Sequence, residues 1–405
     1  VSPQPNASGR GTLRRIFGAQ ESGLVLVIAL MMAGLWYFGG TKQLAQVRDV
    51  GADAEVTVTD AGYVVADGGG ERTYPRPAWR LVEAGSGSRT LVGPRVERNK
   101  FLDNTNLMLV ATNASFIAVI AVGMTGVIIL AGIDLSVGSV YGLSAVVGAM
   151  VLTGMPGSDA AVASGGGTGW SWLSIPVGLA VCVGVGALCG FANGAMTVGF
   201  RVHPFVITLG MMAGLRGLMI VMTDAQSISG FPDAFTRGFF KLGVGGIHPV
   251  LTLIMFGVAA AGVFVLNATV FGRQVFAIGG NETAARYAGI SVGRVKILVY
   301  TIAGALAGLS GCMYIGWYGA AEPNAGMAYE LKVIAAAVIG GASLMGGRGT
   351  ALGAILGAII IELINNGMII LGIEQNYNQI VMGAAIIIAV VVDQSKSRFG
   401  RGRTA

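Results

Sequence analysis

VLTLIMFGVAAAGVFVLNATV (Val250 to Val270) runs into FGRQVFAIGGNETAARYAGISVGRVK (Phe271 to Lys296) and out again into ILVYTIAGALAGLSGCMYIGW (Ile297 to Trp317). Each outer segment has about twenty residues and no charge, the length a helix needs to cross the hydrocarbon of a bilayer. The middle segment gathers Arg273, Glu282, Arg286, Arg294 and Lys296 in a chain otherwise nearly free of charge. Such a polar island has to leave the lipid, and two crossings joined in this way predict a helical membrane protein, because in lipid a helix satisfies every backbone amide within its own segment.

The island has local order of its own. Asn281 is placed to cap a short helix with Glu282 in its favourable first turn, and Gly289 is placed to end it. Ala284, Ala285 and Ala288 are expected to give that helix small exposed faces. A helix of about two turns is marginal in water, so this one reads as a contact element that needs a docking surface.

Composition agrees with the membrane reading. Apolar residues make up 54% of the chain and charged residues 11%, with a mean hydropathy of +0.71. The 66 glycines exceed twice the share usual in soluble proteins, and in lipid small residues are what let helix backbones approach closely. A formal net charge of +6 is spread over loops without a dense basic block or interleaved aromatics, which leaves a nucleic-acid role without support. Cys182, Cys189 and Cys312 lie inside apolar runs with no metal-ligand spacing and read as packing residues.

Ten segments qualify as crossings: Ser22 to Phe38, Phe116 to Leu130, Ser139 to Leu152, Ile175 to Val198, Pro204 to Met222, Val250 to Val270, Ile297 to Trp317, Glu330 to Leu344, Ala351 to Leu371 and Gln379 to Val392. The shorter ones suggest broken or half-buried helices near Gly and Pro. The first reads as an uncleaved anchor rather than a signal peptide. With a cytoplasmic amino terminus, the inside segments hold Arg10, Arg14, Arg15, Arg201, Arg273, Arg286, Arg294, Lys296, Arg348, Lys396, Arg398, Arg401 and Arg403. Only Arg237 and Lys241 fall in the short outside loops. Both termini and the 271–296 loop are therefore expected on the cytoplasmic side.

A second composition fills Gly40 to Lys100, with 9 Lys or Arg and 8 Asp or Glu. Alternation in Glu55 to Thr59, a turn at Asp60-Ala61-Gly62 and then Tyr63 to Val65 predicts a β-hairpin. Trp79 to Glu83 and Arg89 to Val92 flank a second turn, with Trp79, Leu81 and Val82 supplying a small core. The fold class is thus an all-α polytopic membrane protein of about ten helices with a small β-rich extracytoplasmic insertion. In residues it divides into a tail (1–21), a first span (22–39), the insertion (40–100), the main helical domain (101–393) and a basic tail (394–405).

Several residues are candidates for chemistry. Glu362, Asn365 and Asn366 share one face of the ninth span, and intramembrane polar groups of this kind either line a path for a polar solute or join helices and subunits. Asp134, followed by Ser136 and Ser139, fits a path or a helix N-cap. Arg216 and Lys332 read as interface anchors, with Glu330 and Lys332 as an alternative gate pair. The stripe of Met211, Met212, Met219 and Met222 reads as packing. None of the six lysines stands in Gly-Lys-Ser/Thr, so the chain lacks the P-loop that binds nucleotide. Gly308-Leu309-Ser310-Gly311 matches the GxSG of intramembrane serine proteases, but that serine needs a later histidine, and His203 and His248 both precede it.

The run Gly272-Arg273, Ala277-Ile278-Gly279-Gly280-Asn281, Ala284-Ala285 and Ala288-Gly289-Ile290 resembles the cytoplasmic coupling segment of ABC importer permeases of the ribose, xylose, arabinose and galactose class. The resemblance continues through Gly132 to Ser139, Gly340 to Leu344 and Asn365-Asn366-Gly367, and so covers roughly Asn104 to Asp393. It implies a permease subunit in the bacterial inner membrane that imports a simple sugar or polyol and is not itself an enzyme. The implied partners are an ABC ATPase carrying ATP and Mg, a periplasmic substrate-binding protein, a second permease subunit in a homodimer, and membrane lipid. Coupling to the ATPase would fall to Gly272, Arg273, Gly279, Gly280, Asn281, Glu282, Ala284, Ala285, Ala288 and Gly289. The substrate path is assigned on the residues' own chemistry, to Asp134, Glu362, Asn365 and Asn366, each with the structural alternative given above. No cofactor is implied in this chain. The insertion departs from the family pattern, so its role is not inherited. A secondary transporter or facilitator without an ATPase is the alternative, although its paired interrupted helices and carboxylate relay are not evident.

Overall fold

In a computed structural model of the chain, the structure describes residues 19–50, 55–67, 70–83, 89–165, 169–243, 247–385, 387–388 and 391. The basic clusters at the two termini, the tip of the second expected turn and residues 166–168 lie outside these residues. Two compact units are present, one formed by residues 33–107 and the other by 1–32 with 108–405.

The smaller unit is built from strands. The hairpin at 55–65 forms as β2 (Glu55–Thr59) and β3 (Gly62–Asp67), which β4 (Gly70–Pro75) extends to a three-stranded antiparallel sheet. A second sheet has the order β1 (Thr41–Val50), β6 (Arg89–Asn99), β5 (Arg80–Glu83), and its long β1–β6 ladder shifts register between Ala45 and Val47. Its core differs from expectation. Val50, Tyr63, Val65, Tyr74 and Leu91 are buried, Trp79 and Leu81 pack at their edge, and Val82 is half exposed. The period-2 alternation of a strand sends Leu81 and Val82 to opposite faces, so one of the two had to face out.

The larger unit is helical. Its principal helices are α1 (Ala19–Phe38, which continues into the smaller unit), α2 (Asn104–Ile129), α3 (Val137–Thr153), α4 (Asp159–Ala163), α5 (Ser174–Gly199), α6 (Pro204–Thr223), α7 (Val250–Ala268), α8 (Val270–Gly280), α9 (Glu282–Tyr287), α10 (Val292–Tyr318), α11 (Tyr329–Ile339) and α12 (Ala351–Ile370). A last helical stretch covers 378–385. Among the described residues seven helices are long and apolar enough to cross a membrane, and α3 is a shorter apolar one. The span expected at Glu330 to Leu344 shortens to the 11-residue α11, because Gly340 and Gly341 end it and Gly341 takes φ +97°.

Helix ends follow local chemistry. Pro204 opens α6 behind His203, whose Nδ1 accepts the Phe205 N–H, and Thr350 caps α12 by accepting from Gly353 N at 3.0 Å. Helix α2 is buried on all sides over Phe116 to Ala121 and runs through the core of the bundle, although it also carries Asn113 and Thr125. Helices α5 and α10 meet along Gly186, Gly190, Gly304 and Gly308. A Cβ on Gly304 would strike the Gly186 carbonyl oxygen, and one on Gly308 that of Cys182. The three cysteines are buried and free, and Ser310 donates to the Phe116 carbonyl at 2.9 Å, so the GxSG tetrad serves helix packing.

Candidate functional site

The 271–296 island resolves into three pieces. Its first part is α8, a helix of 11 residues rather than loop. Thr269 turns the chain there: its backbone is extended, its hydroxyl donates to Val265 O at 2.6 Å, and its side chain accepts from Gly272 N at 3.1 Å. Gly272 is buried, and a Cβ there would strike the Leu266 carbonyl; a Cβ on Gly279 would strike that of Ile129, whereas one on Gly280 would meet nothing within 4 Å. Arg273 is exposed. Apolar Val275 and Ile278 bury one face of α8 on the bundle.

The second piece is α9, capped as expected. Asn281 Oδ1 accepts from Ala284 N at 3.0 Å, and Gly289 leaves the helix at φ +81°, a conformation only glycine adopts without strain. One expectation fails: Ala285 is 4% exposed and packs inward, while Ala284, Tyr287 and Ala288 face out. A helix has to bury one stripe to be held at all, and Ala285 is the stripe of α9. Tyr287, passed over in the sequence, is 88% exposed.

The third piece is the first turn of α10, which anchors α9. Glu282 accepts from Lys296 Nζ at 2.7 Å and from Arg286 Nη2 at 2.9 Å. The hydrogen bond from Lys296, helped by that from Arg286 and by both positive charges, holds the Glu282 carboxyl below the usual range against a partial desolvation. Beside these residues lies a cleft of 980 Å³ whose walls include Arg201, His203, Arg286, Arg294 and Lys296.

A separate polar cluster gathers residues from several helices, with Tyr318 at the last position of α10 and Tyr329 at the first of α11. Glu362, 4% exposed, accepts from Asn113 Nδ2 at 3.0 Å and from Asn365 Nδ2 at 3.4 Å. Asn113 Oδ1 accepts from the half-exposed Tyr318 hydroxyl at 3.3 Å, and Asn365 Oδ1 from Asn378 Nδ2 at 2.5 Å. Rings continue the row: Tyr318 to Tyr314 at 5.0 Å, Tyr314 to Tyr141 at 5.5 Å, and Tyr141 stacked on Tyr329 at 5.1 Å, with Lys332 Nζ over the Tyr329 ring at 5.4 Å. Helices α2, α3, α10, α11 and α12 all contribute. Asn366 is buried at 2% exposure. The sequence reading missed Asn113 and the tyrosines. An asparagine within an apolar run, and Tyr314 and Tyr318 spaced i, i+4, were the available signals.

Asp134 belongs to neither place. Its carboxylate accepts from Ser136 N at 2.8 Å and Ser136 Oγ at 2.6 Å, and Asn193 Nδ2 donates to Ser136 Oγ at 2.7 Å. It is 1% exposed and closes a turn ahead of α3, with Ser136 and not Asp134 at the cap position. Ser139 donates to Met212 O at 2.9 Å. Arg216 donates to the carbonyls of Ala325 and Gly326 at 3.4 and 3.2 Å. Glu330 and Lys332 form no ion pair among the described residues, so the gate pair is not assembled. Met219 is in the core, with Met211 and Met222 packed against it.

Residues 106–390 match the family described as branched-chain amino acid transport system / permease component, a match that begins just past the β sheets. The ribose import permease protein RbsC of Escherichia coli (strain K12) is 38% identical over 298 residues, covering 73% of this chain and 88% of the relative. RbsC of Bacillus subtilis (strain 168) is 39% identical over 306 residues, 73% and 87% of the two chains. The D-allose transport system permease protein AlsC of Escherichia coli (strain K12) is 38% identical over 299 residues, 74% and 86%. No solved structure matches. With a match over most of the chain and relatives of this identity and coverage, the protein belongs to the branched-chain amino acid transport system / permease component family.

Proposed function

We propose that this chain is the membrane-spanning subunit of an ATP-driven importer for a simple sugar or polyol in a bacterial inner membrane, with both termini and α9 on the cytoplasmic side. In this reading α3, α11 and the last helical stretch complete about ten crossings with the seven long helices. Although the family description names branched-chain amino acids, its similar members are permeases named for ribose and allose. The observation that carries the substrate class is the Glu362, Asn113, Asn365 and Tyr318 cluster. It offers amide and carboxylate partners for hydroxyls beside a half-exposed tyrosine ring, the set a neutral polyhydroxylated ring needs to replace its water.

ATP and Mg belong to a separate ATPase that docks on α9, a periplasmic binding protein delivers the solute, and a second copy of the permease completes a homodimer. ATP closes the nucleotide-binding pair, and α9 carries that motion into the bundle to exchange one access state for the other. The β unit lies outside the membrane and serves docking of the binding protein. Replacing residues 40–100 by a Gly/Ser linker is expected to weaken stimulation by the binding protein and leave sugar preference unchanged. A shifted preference would assign the unit to recognition instead.

The direct test is reconstitution with the ATPase and binding protein, measuring uptake of labelled ribose, galactose and allose. Asn365→Leu is expected to lower uptake about tenfold or more with normal assembly, because sugar hydroxyls facing leucine lose partners. Loss of the dimer ahead of uptake would make this face a subunit contact. Uptake of equal rate without ATP would favour a facilitator.

A further inference from the structure

The 980 Å³ cleft at the junction of α5, α6, α9 and α10 is charged out of proportion to its surroundings. Four permanent cations, Arg201, Arg286, Arg294 and Lys296, line it against the single carboxylate of Glu282. That carboxylate is already shared by Arg286 and Lys296. The guanidinium groups of Arg201 and Arg294 have no acidic partner among the described residues, and Val292 and Gly293 at the start of α10 belong to the same wall. Thr197, 6% exposed and with an unpartnered hydroxyl, forms part of that wall.

The surroundings of these cations decide what fits. Phe200 is 70% exposed, Phe205 43% and Val206 57%, so the charged cleft is flanked directly by apolar surface at the ends of α5 and α6. An acidic protein loop would satisfy the guanidinium groups and leave these side chains in water. An anionic phospholipid satisfies both, with its phosphate among the cations and its acyl chains along the helices. Ala284, Tyr287 and Ala288 do not line the cleft, so the outward face of α9 stays free.

We propose that this cleft binds the phosphate headgroup of an anionic phospholipid, which bridges Arg201 at the end of α5 to Arg294 in the first turn of α10. The inference rests on membrane residence and not on the substrate or on coupling. The bound lipid ties the α9–α10 corner to α5.

The test uses the full chain in nanodiscs of phosphatidylcholine with phosphatidylglycerol, released and read by native mass spectrometry. Wild type is expected to retain phosphatidylglycerol in preference to phosphatidylcholine. Arg201→Gln with Arg294→Gln is expected to lose about tenfold or more of that retention, each cation at an anionic surface being worth several-fold. Arg348→Gln, an exposed arginine outside the cleft, should leave it unchanged. Equal retention by the double variant and wild type would overturn the site. Displacement of the lipid by inorganic phosphate would make it a soluble-anion site, and displacement by the ATPase a protein-docking surface; either result rejects the lipid assignment.

Discussion

Gly304→Leu is expected to abolish recovery of a folded, monodisperse protein, whereas Gly257→Leu leaves it intact. A side chain at Gly304 would collide with the Gly186 carbonyl and crowd Gly190, both backbone atoms of α5 that cannot swing away. At Gly257 a Cβ meets nothing within 4 Å. Overpacking a well-fitted contact costs about 1–3 kcal/mol even where side chains can adjust, and two helix backbones held together have less room to adjust. In lipid the penalty falls on the interaction that joins the helices, since close packing and not water exclusion drives their association. Size-exclusion profiles and melting temperatures in detergent measure the difference. Equal behaviour of the two variants would show that α5 and α10 separate without consequence.

Ala288→Asp is expected to remove most ATP-driven uptake, about tenfold or more, while expression and melting temperature stay near wild type. Ala288 is exposed just past the end of α9, so a carboxylate there remains in water and meets only the weakly unfavourable field of the helix C-terminus, about 0.3–1 kcal/mol. What changes is the outward face shared with Ala284 and Tyr287, where a partner would have to desolvate the new charge. Ala285→Asp is the informative contrast. That position is 4% exposed, so the same charge enters the bundle and should lower stability itself. Paired assays of uptake and ATP hydrolysis separate the two effects. Normal uptake by Ala288→Asp would remove α9 from the coupling role.

The cap and stop of α9 were legible because they are local: Asn281 and Gly289 act within a few bonds of the backbone they satisfy. The hairpin at 55–65 was legible for the same reason, as alternation and a turn residue determine its register. Long apolar runs marked the crossings because lipid imposes the same requirement wherever a chain meets it. Burial of one face was not legible, since Ala284, Ala285 and Ala288 are chemically alike and only the bundle beneath α9 selects Ala285. Nor was the polar cluster. Asn113 and Glu362 stand 249 residues apart, and their meeting depends on how α2 packs against α12. By itself, then, the sequence determined the class, the seven long apolar helices and the short helix, whose causes lie within a few residues of each other, but not the 11-residue length of α11. The tertiary structure alone decided which polar groups meet, because helix packing sets those distances and no local pattern encodes them.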